Sequence, residues 1–534
     1  MNNIELLDCT LRDGAYINGS NFGQQALKGI INKLELANID IIECGWLKND
    51  PYKEGSSYYH IPDDLKRYLT QKKDGVIYVA MIDWDRYDVD NLPVCDGKSL
   101  DAIRVVFPHG RHVEGIKVGE KIREKGYKVF FQLANTLAYS EQDLIEVAKQ
   151  MNEFGPESIS VVDTFGAMYE DDLDRILDTL VDSLDERIKI GFHAHNNMQL
   201  AFSLAIHFAN YMSKKNRKCI IDSTLSGMGR GAGNATTELI VSYLNKKCYG
   251  NYNLDMILDA IDVYMRPFSE KFSWGYSTEF FIAGIYQTHV NNIDYLLKNH
   301  RTNSKDMRDI ISSLSVEQRR KYDYDNLEEK YIENQNRIVD DSETIIDLKK
   351  TLSGQKVLLL CPGKSLINEK SQIEDFIKKE KPITIAVNAI VEGYDYDYLF
   401  FVNKVRYEYA NNAYTDVFSK TKKIITSNIK TDANDDEQII NFNKIIKRGW
   451  QYFDNAAICC LRFINRLNLK QVYIAGFDGF KPSYNESYAD YYLPTLNVDD
   501  DWNNINSEIG QIFDDYIKSS NVEVSFITDS IFNK

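Results

Sequence analysis

From residue 1 to about 225 the chain repeats one unit, a short β-branched or apolar run followed by a polar, helix-periodic stretch. The runs cover 4–8, 39–44, 76–82, 102–107, 128–133, 158–163, 188–193 and 219–223. In the first intervening stretch, 24–37, Ala26, Ile30, Ile31, Leu34 and Leu36 fall on one helical face. Eight β–α repeats within about 290 residues is the arithmetic of an α/β chain folded as a (β/α)8 TIM barrel. An open sheet also accommodates eight strands, so the positions of the unusual residues carry more weight than the count.

Those residues fall at the ends of the runs. Gly191-Phe192-His193-Ala194-His195-Asn196-Asn197 closes the seventh run. Side chains two apart on a strand share a face, so His193 and His195 project together. A lone buried histidine is usually a satisfied core residue, but two of only 8 histidines in 534 residues stand here. Paired imidazoles form half of a divalent-metal site and want a carboxylate to complete it. Asp8-Cys9-Thr10-Leu11-Arg12-Asp13-Gly14, after the first run, offers one. Glu43, Asp83, Asn135 and Asp163 also stand at or just after run ends, which in a barrel converge on one mouth. The eighth run leads into Gly227-Met228-Gly229-Arg230-Gly231-Ala232-Gly233-Asn234, where glycines let backbone approach a ligand closely. Alone, such a loop is more often a tight turn.

The net charge of −16 argues against a phosphate-backbone binder, so no nucleic-acid partner is expected. No apolar run approaches ~20 residues, and the N-terminus lacks the pattern of a signal peptide, so no membrane span is expected. Eight scattered cysteines without paired spacing fit reduced thiols in a cytoplasmic protein.

Four separated motifs, Asp8 to Gly14, Glu43, His193-Ala194-His195 and Gly229 to Asn234, together resemble the DRE-TIM metallolyase superfamily over about residues 1–300. That group includes 4-hydroxy-2-oxovalerate aldolase, HMG-CoA lyase, and the isopropylmalate and homocitrate synthases. The resemblance implies Asp13, His193 and His195 as metal ligands, Arg12 as the arginine stabilising an enolate, and Glu43 as its acidic support. It implies Asn234 near the metal; Asn135 and Asp163 are expected with it at the substrate. In the hydroxy-oxo-acid aldolases a catalytic histidine follows Arg-Asp-Gly after one residue, whereas this chain has Tyr16 there. Tyrosine, with a reference pKa near ~10, is a poor base unless tuned. Tyr276 resembles the aldolase's catalytic tyrosine, with packing under the barrel rim an equal reading. The implied cofactor is a divalent metal, Mn2+ or Mg2+, with Co2+ a third candidate. The implied activity is cleavage of a 4-hydroxy-2-oxo acid through a pyruvate-type enolate. The nearest rival is a Claisen-type synthase joining an acyl-CoA to a 2-oxo acid. Enzymes of this kind often associate as homo-oligomers.

Residues 301–352 read as a helical appendix and linker, with 312–334 charged and helical. A second domain, 353–534, alternates apolar runs at 356–360, 383–387, 398–402, 423–426 and 471–475 with helices such as 456–468, the pattern of a Rossmann-like open sheet. Cys361–Leu366, Asn388 and Ala475 to Gly479 loosely resemble bacterial sialyltransferases and 6-hydroxymethylpterin diphosphokinase-like proteins. That likeness implies nucleotide or nucleotide-sugar binding at Gly363, Ser365, Asn388 and Asp478. Those sialyltransferases use a histidine base, and no histidine follows His300. A transferase working through this domain is the rival from another class. The pairing of domains points to surface-glycan or specialised carbohydrate synthesis.

Overall fold

The computed structural model describes all residues except 1–2, 70, 249, 301, 337, 432–436, 483, 496–500 and 534. It divides into two compact units, one of residues 1–293 with 319–321 and the other of 294–318 with 322–534. The helices expected as an appendix between the domains therefore cluster with the second unit, apart from the short stretch 319–321.

The first unit is a closed parallel barrel of β1 (Ile4–Asp8), β2 (Ile41–Leu47), β3 (Ile77–Asp83), β4 (Ala102–Phe107), β5 (Lys128–Leu133), β6 (Ser158–Asp163), β7 (Lys189–Ala194) and β8 (Cys219–Ser223). Closure comes from β1, which pairs with β8 through Ile4↔Cys219 and with β2 through Leu7↔Ile41. All eight strands match the expected runs to within three residues at either end.

Period two along the strands builds the interior in layers. Leu7, Ile41, Val79, Ala102, Phe130 and Ile220 meet in one apolar cluster. Two positions further along, on the same inward face, stand Glu43, Arg104, Gln132 and Asp222, all buried. The opposite strand faces, with Leu6, Ile42, Val105 and Phe131 among them, pack against the surrounding helices in the larger core. Helix Gln24–Leu36 buries Leu27, Ile30, Ile31 and Leu34 there. Leu36, placed on that apolar face by periodicity, is exposed in the last turn instead. Strand β2 runs past its expected end through a register shift between Glu43 and Trp46. Gly45 permits it: its φ is +148°, and a Cβ there would lie 2.0 Å from the Ser57 carbonyl oxygen.

The second unit carries a seven-stranded, all-parallel sheet: β9 (Val357–Leu360), β10 (Ile383–Val387), β11 (Tyr398–Phe401), β12 (Lys422–Thr426), β13 (Glu437–Ile440), β14 (Gln471–Ala475) and β15 (Glu523–Phe526). Its order is β13-β12-β11-β10-β9-β14-β15, an open α/β sheet whose direction of winding reverses between β9 and β14. The two outermost strands, short and partly polar, were not legible as apolar runs. The stretch expected to be helical over 312–334 falls in three helices, Ser304–Ser313, Val316–Arg320 and Tyr324–Gln335. Asp323 starts the last by accepting from the Asn326 N–H, the competition that makes Asp a helix initiator.

Candidate metal centre

After β1 the chain turns at once into the helical segment Thr10–Asp13. Asp8 fixes that turn by accepting from the Thr10 N–H at 2.9 Å and the Thr237 hydroxyl at 2.7 Å. Burial raises its carboxyl to about 6. Strand β7 presents His193 inward, and His195, just past its end, bridges to Asn234 of the glycine-rich loop.

Both imidazoles are held by the ring nitrogen that faces away from Asp13. His193 Nδ1 lies 3.0 Å from Asp222 Oδ2, and His195 Nδ1 lies 3.0 Å from the Asp163 carbonyl oxygen. Both partners are acceptors, Asp222 being kept ionised by Arg104 despite its burial, so Nδ1 carries the proton in each ring. The Nε2 lone pairs are therefore bare, and they face one oxygen: Asp13 Oδ2 is 3.8 Å from His193 Nε2 and 3.7 Å from His195 Nε2. Burial pushes the His195 imidazole down to about 4, keeping it neutral. Burial opposes ionisation of Asp13 too, but Arg12 and the two imidazoles hold its carboxyl down to about 2. Asn234 Nδ2 donates to Asp13 Oδ2, leaving Asn234 Oδ1 buried with no hydrogen-bond partner. His193 Nε2 is likewise buried and unpartnered.

These atoms fit a divalent cation. A bare buried acceptor costs about 1–3 kcal/mol, and a cation among Asp13 Oδ2, the two Nε2 atoms and Asn234 Oδ1 would offset that cost. The local charges agree. Arg12 donates to Asp13 Oδ1 and to Glu43 Oε2, both at 2.8 Å. Arg104 donates to the same Glu43 oxygen at 2.9 Å, to Gln132 at 2.8 Å and to Asp222 Oδ2 at 2.5 Å. Three carboxylates against two guanidiniums leave one net negative charge in a site shut off from water. Cys9, His193 and Asp222 form a second trio at ligating distance. There Cys9 Sγ donates to the Ser223 carbonyl, burial holds the thiol well above its usual value, and Asp222 belongs to Arg104, so the first trio suits a cation better.

Arg12, Asp13, Glu43, His193, His195 and Asn234 thus come together. Tyr16 stands beside them with the Arg230 guanidinium 4.9 Å from its ring centre. Desolvation at the mouth pushes its phenol above the ordinary value, although 43% of the residue is exposed. Tyr276 is 60% exposed on the segment before helix Thr278–Ile285. The Asp163 carboxylate turns back to accept from the Ala167 and Met168 N–H groups, and only its carbonyl reaches His195. Asn135 sits after β5 with φ +55°, its Oδ1 buried without a partner.

Sequence reasoning missed Arg104, Gln132 and Asp222. The signal was present: Ala102-Ile103-Arg104-Val105 and Ile220-Ile221-Asp222 each place a charge on a strand otherwise apolar, where burial is tolerated only with a partner. The glycines have a packing cause. A Cβ on Gly229 would lie 2.2 Å from Asn234 Nδ2 and 3.0 Å from Asp13 Oδ2, and one on Gly233 (φ +85°) 2.0 Å from the Gly227 oxygen.

The HMGL-like family profile matches residues 114–263. A 4-hydroxy-2-oxovalerate aldolase of Pectobacterium atrosepticum is 31% identical over 277 residues, 50% of this chain and 77% of that protein. An oxaloacetate decarboxylase of Mycobacterium tuberculosis is 25% identical over 264 residues, 48% of this chain and 74% of that one. The carboxyl transferase domain of Rhizobium etli pyruvate carboxylase, in a variant solved with pyruvate, shares the fold with a TM-score of 0.50 at 12% identity, over 65% of each chain. By its eight-stranded barrel and by these relatives the chain belongs to the HMGL-like family of the DRE-TIM metallolyase superfamily, and is a metal-dependent carbon–carbon lyase.

Proposed function

We propose that the barrel cleaves a 4-hydroxy-2-oxo acid by retro-aldol chemistry, with pyruvate as the enolate half. The observation that carries this reading is the convergence of Asp13 Oδ2 and two bare imidazole nitrogens beside a clamped guanidinium. Asp13, His193 and His195, with Asn234 Oδ1, would hold Mn2+, Mg2+ or Co2+, which supplies Lewis acidity toward a 2-oxo acid's carboxylate and keto oxygens.

In the reaction the C4 hydroxyl loses its proton, the C3–C4 bond breaks, and its electron pair becomes the C2–C3 double bond of an enolate while an aldehyde departs. Arg12, held by Asp13 and Glu43, is fixed where charge grows on the C2 oxygen, so no reorganisation is needed as the barrier is crossed. Arg104 anchors Glu43, and Asp222 keeps His193 in one tautomer. Tyr16, its phenol raised and so protonated, suits return of a proton to the enolate carbon better than removal of one from the hydroxyl.

That observation also favours a second reading. Decarboxylation of a 2-oxo acid carrying a carboxylate on C3, such as oxaloacetate, breaks the C3–C4 bond, yields the same enolate and releases CO2 without any base. No described helix is long and apolar enough to cross a membrane.

Pyruvate formation from a panel of 4-hydroxy-2-oxo acids and oxaloacetate, read with metal content, tests both. His193→Ala is expected to lose metal and turnover. Arg12→Ala is expected to keep metal and lose on the order of 100-fold in kcat. Pyruvate from oxaloacetate alone selects the second reading, and metal binding with no pyruvate from any substrate refutes both.

A further inference from the structure

A cavity in the second unit opens at the carboxyl ends of its strands, where winding reverses between β9 and β14. Open parallel sheets hold ligands at such reversals. The cavity is open to solvent at its mouth and is lined by residues between Cys361 and Ile509.

Its wall is rich in hydrogen-bond donors that the fold does not use. Arg406, in the first turn of helix Lys404–Ala413, is 7% exposed and lines the cavity. Among the described residues its guanidinium has neither a carboxylate within ion-pair distance nor a hydrogen bond; it lies 4.9 Å from the Tyr488 ring centre. A guanidinium so far withdrawn from water is costly without an anion, and it binds a planar set of acceptor oxygens well. Three carboxamides line the same cavity. Asn388 Oδ1 accepts from the Val402 N–H, Asn403 Oδ1 from that of Arg406 and Asn455 Oδ1 from that of Ile458. With each oxygen taken by backbone, what these side chains have left to offer is an NH2 donor.

The place expected from the sequence to cradle phosphate is already filled. Both the N–H and the hydroxyl of Ser365 go to the Asp478 carboxylate. Gly363 is small because its backbone crosses β14's end, where a Cβ would lie 2.3 Å from the Gly476 oxygen.

We infer that this cavity is a second binding site, for a phosphorylated small molecule whose phosphate rests on Arg406 and the amide donors of Asn388, Asn403 and Asn455. A guanidinium with three amides exceeds the two oxygens of a carboxylate and matches the three of a phosphate. The inference is independent of the barrel's chemistry.

Calorimetric titration of the full chain tests it, with pyrophosphate, glucose 1-phosphate, UMP and UDP as probes and uridine, glucose and glucuronate as phosphate-free controls. At least one phosphorylated probe is expected to bind, and its phosphate-free counterpart at least about tenfold more weakly. Arg406→Gln is expected to weaken that probe about tenfold or more, and Arg406→Lys less, since a charge is retained. Asn388→Asp, which sets a carboxylate against the phosphate, is expected to weaken it without altering the barrel's pyruvate formation. The relative affinities of UMP, UDP and glucose 1-phosphate tell a nucleotide from a sugar phosphate. Failure of every phosphorylated probe, glucuronate binding as tightly as they do, or unchanged affinity in both Arg406→Gln and Asn388→Asp would overturn the inference.

Discussion

Asp222 touches no substrate in the proposed chemistry, yet the geometry assigns it a measurable share of metal binding. Its Oδ2 accepts from both Arg104 Nη2 and His193 Nδ1, while its Oδ1 is buried and unpartnered. Asparagine at this position can present its one carbonyl oxygen to both donors and keep the shape of the network. What Asp222→Asn removes is charge: the interior falls from one net negative charge to none, and the His193 ring loses its carboxylate partner. Changes to such supporting groups cost 10–100-fold in metal affinity, about 1.4–2.7 kcal/mol. Asp222→Ala goes further, since Arg104 keeps only Glu43 and Gln132, and should cost the metal-free fold toward the lower end of about 3–5 kcal/mol. Mn2+ titration of the stripped protein gives the first quantity and urea unfolding in EDTA the second. An affinity for Asp222→Asn within twofold of wild type would refute the positioning argument. Loss as complete as in His193→Ala would mean that Asp222 is itself a ligand.

Gly229→Ala should lower metal affinity at least about tenfold with the barrel still folded, because the new Cβ must displace Asn234 or Asp13; circular dichroism beside the same Mn2+ titration checks it. Asp8 gives a pH dependence of definite sign. Burial raises its carboxyl from 3.8 to about 6, so between those values the folded chain keeps a proton that the unfolded chain has released. Stability from this group is full below about pH 4, falls as pH rises to about 6 and is flat beyond, a change on the order of 3 kcal/mol. Asp8→Asn should make that profile of urea midpoints in metal-free protein less steep, the buried Asp163 carboxyl, raised to about 7, still contributing, and an unchanged slope would refute the assignment to Asp8.

The barrel was legible in the sequence because its strands are buried on both faces and read as continuous apolar runs, with Gly, Asn and Asp punctuating the turns. The His193–His195 pair was legible for the same reason: period two puts both side chains on one face. The register shift at Glu43 was not, since a bulge depends on what Gly45 packs against, here the Ser57 backbone. Nor were the limits of the second unit, where periodicity cannot tell a helix packed on one core from a helix packed on another. Its edge strands are too short and polar for an apolar pattern to survive, as Glu523-Val524-Ser525-Phe526 shows.

The sequence by itself determined the eight β–α repeats, which residues stand at strand ends and so share the mouth, and the identity of the groups available for metal and enolate chemistry. Only the tertiary structure decided which of them meet. Arg104 and Asp222 lie 118 residues apart, and their pairing depends on barrel closure bringing inward faces together. In the same way the Ser365 N–H belongs to Asp478, while the Arg406 guanidinium lies against the Tyr488 ring with no carboxylate or hydrogen-bond partner among the described residues, facts of packing at a strand crossover that no local pattern encodes.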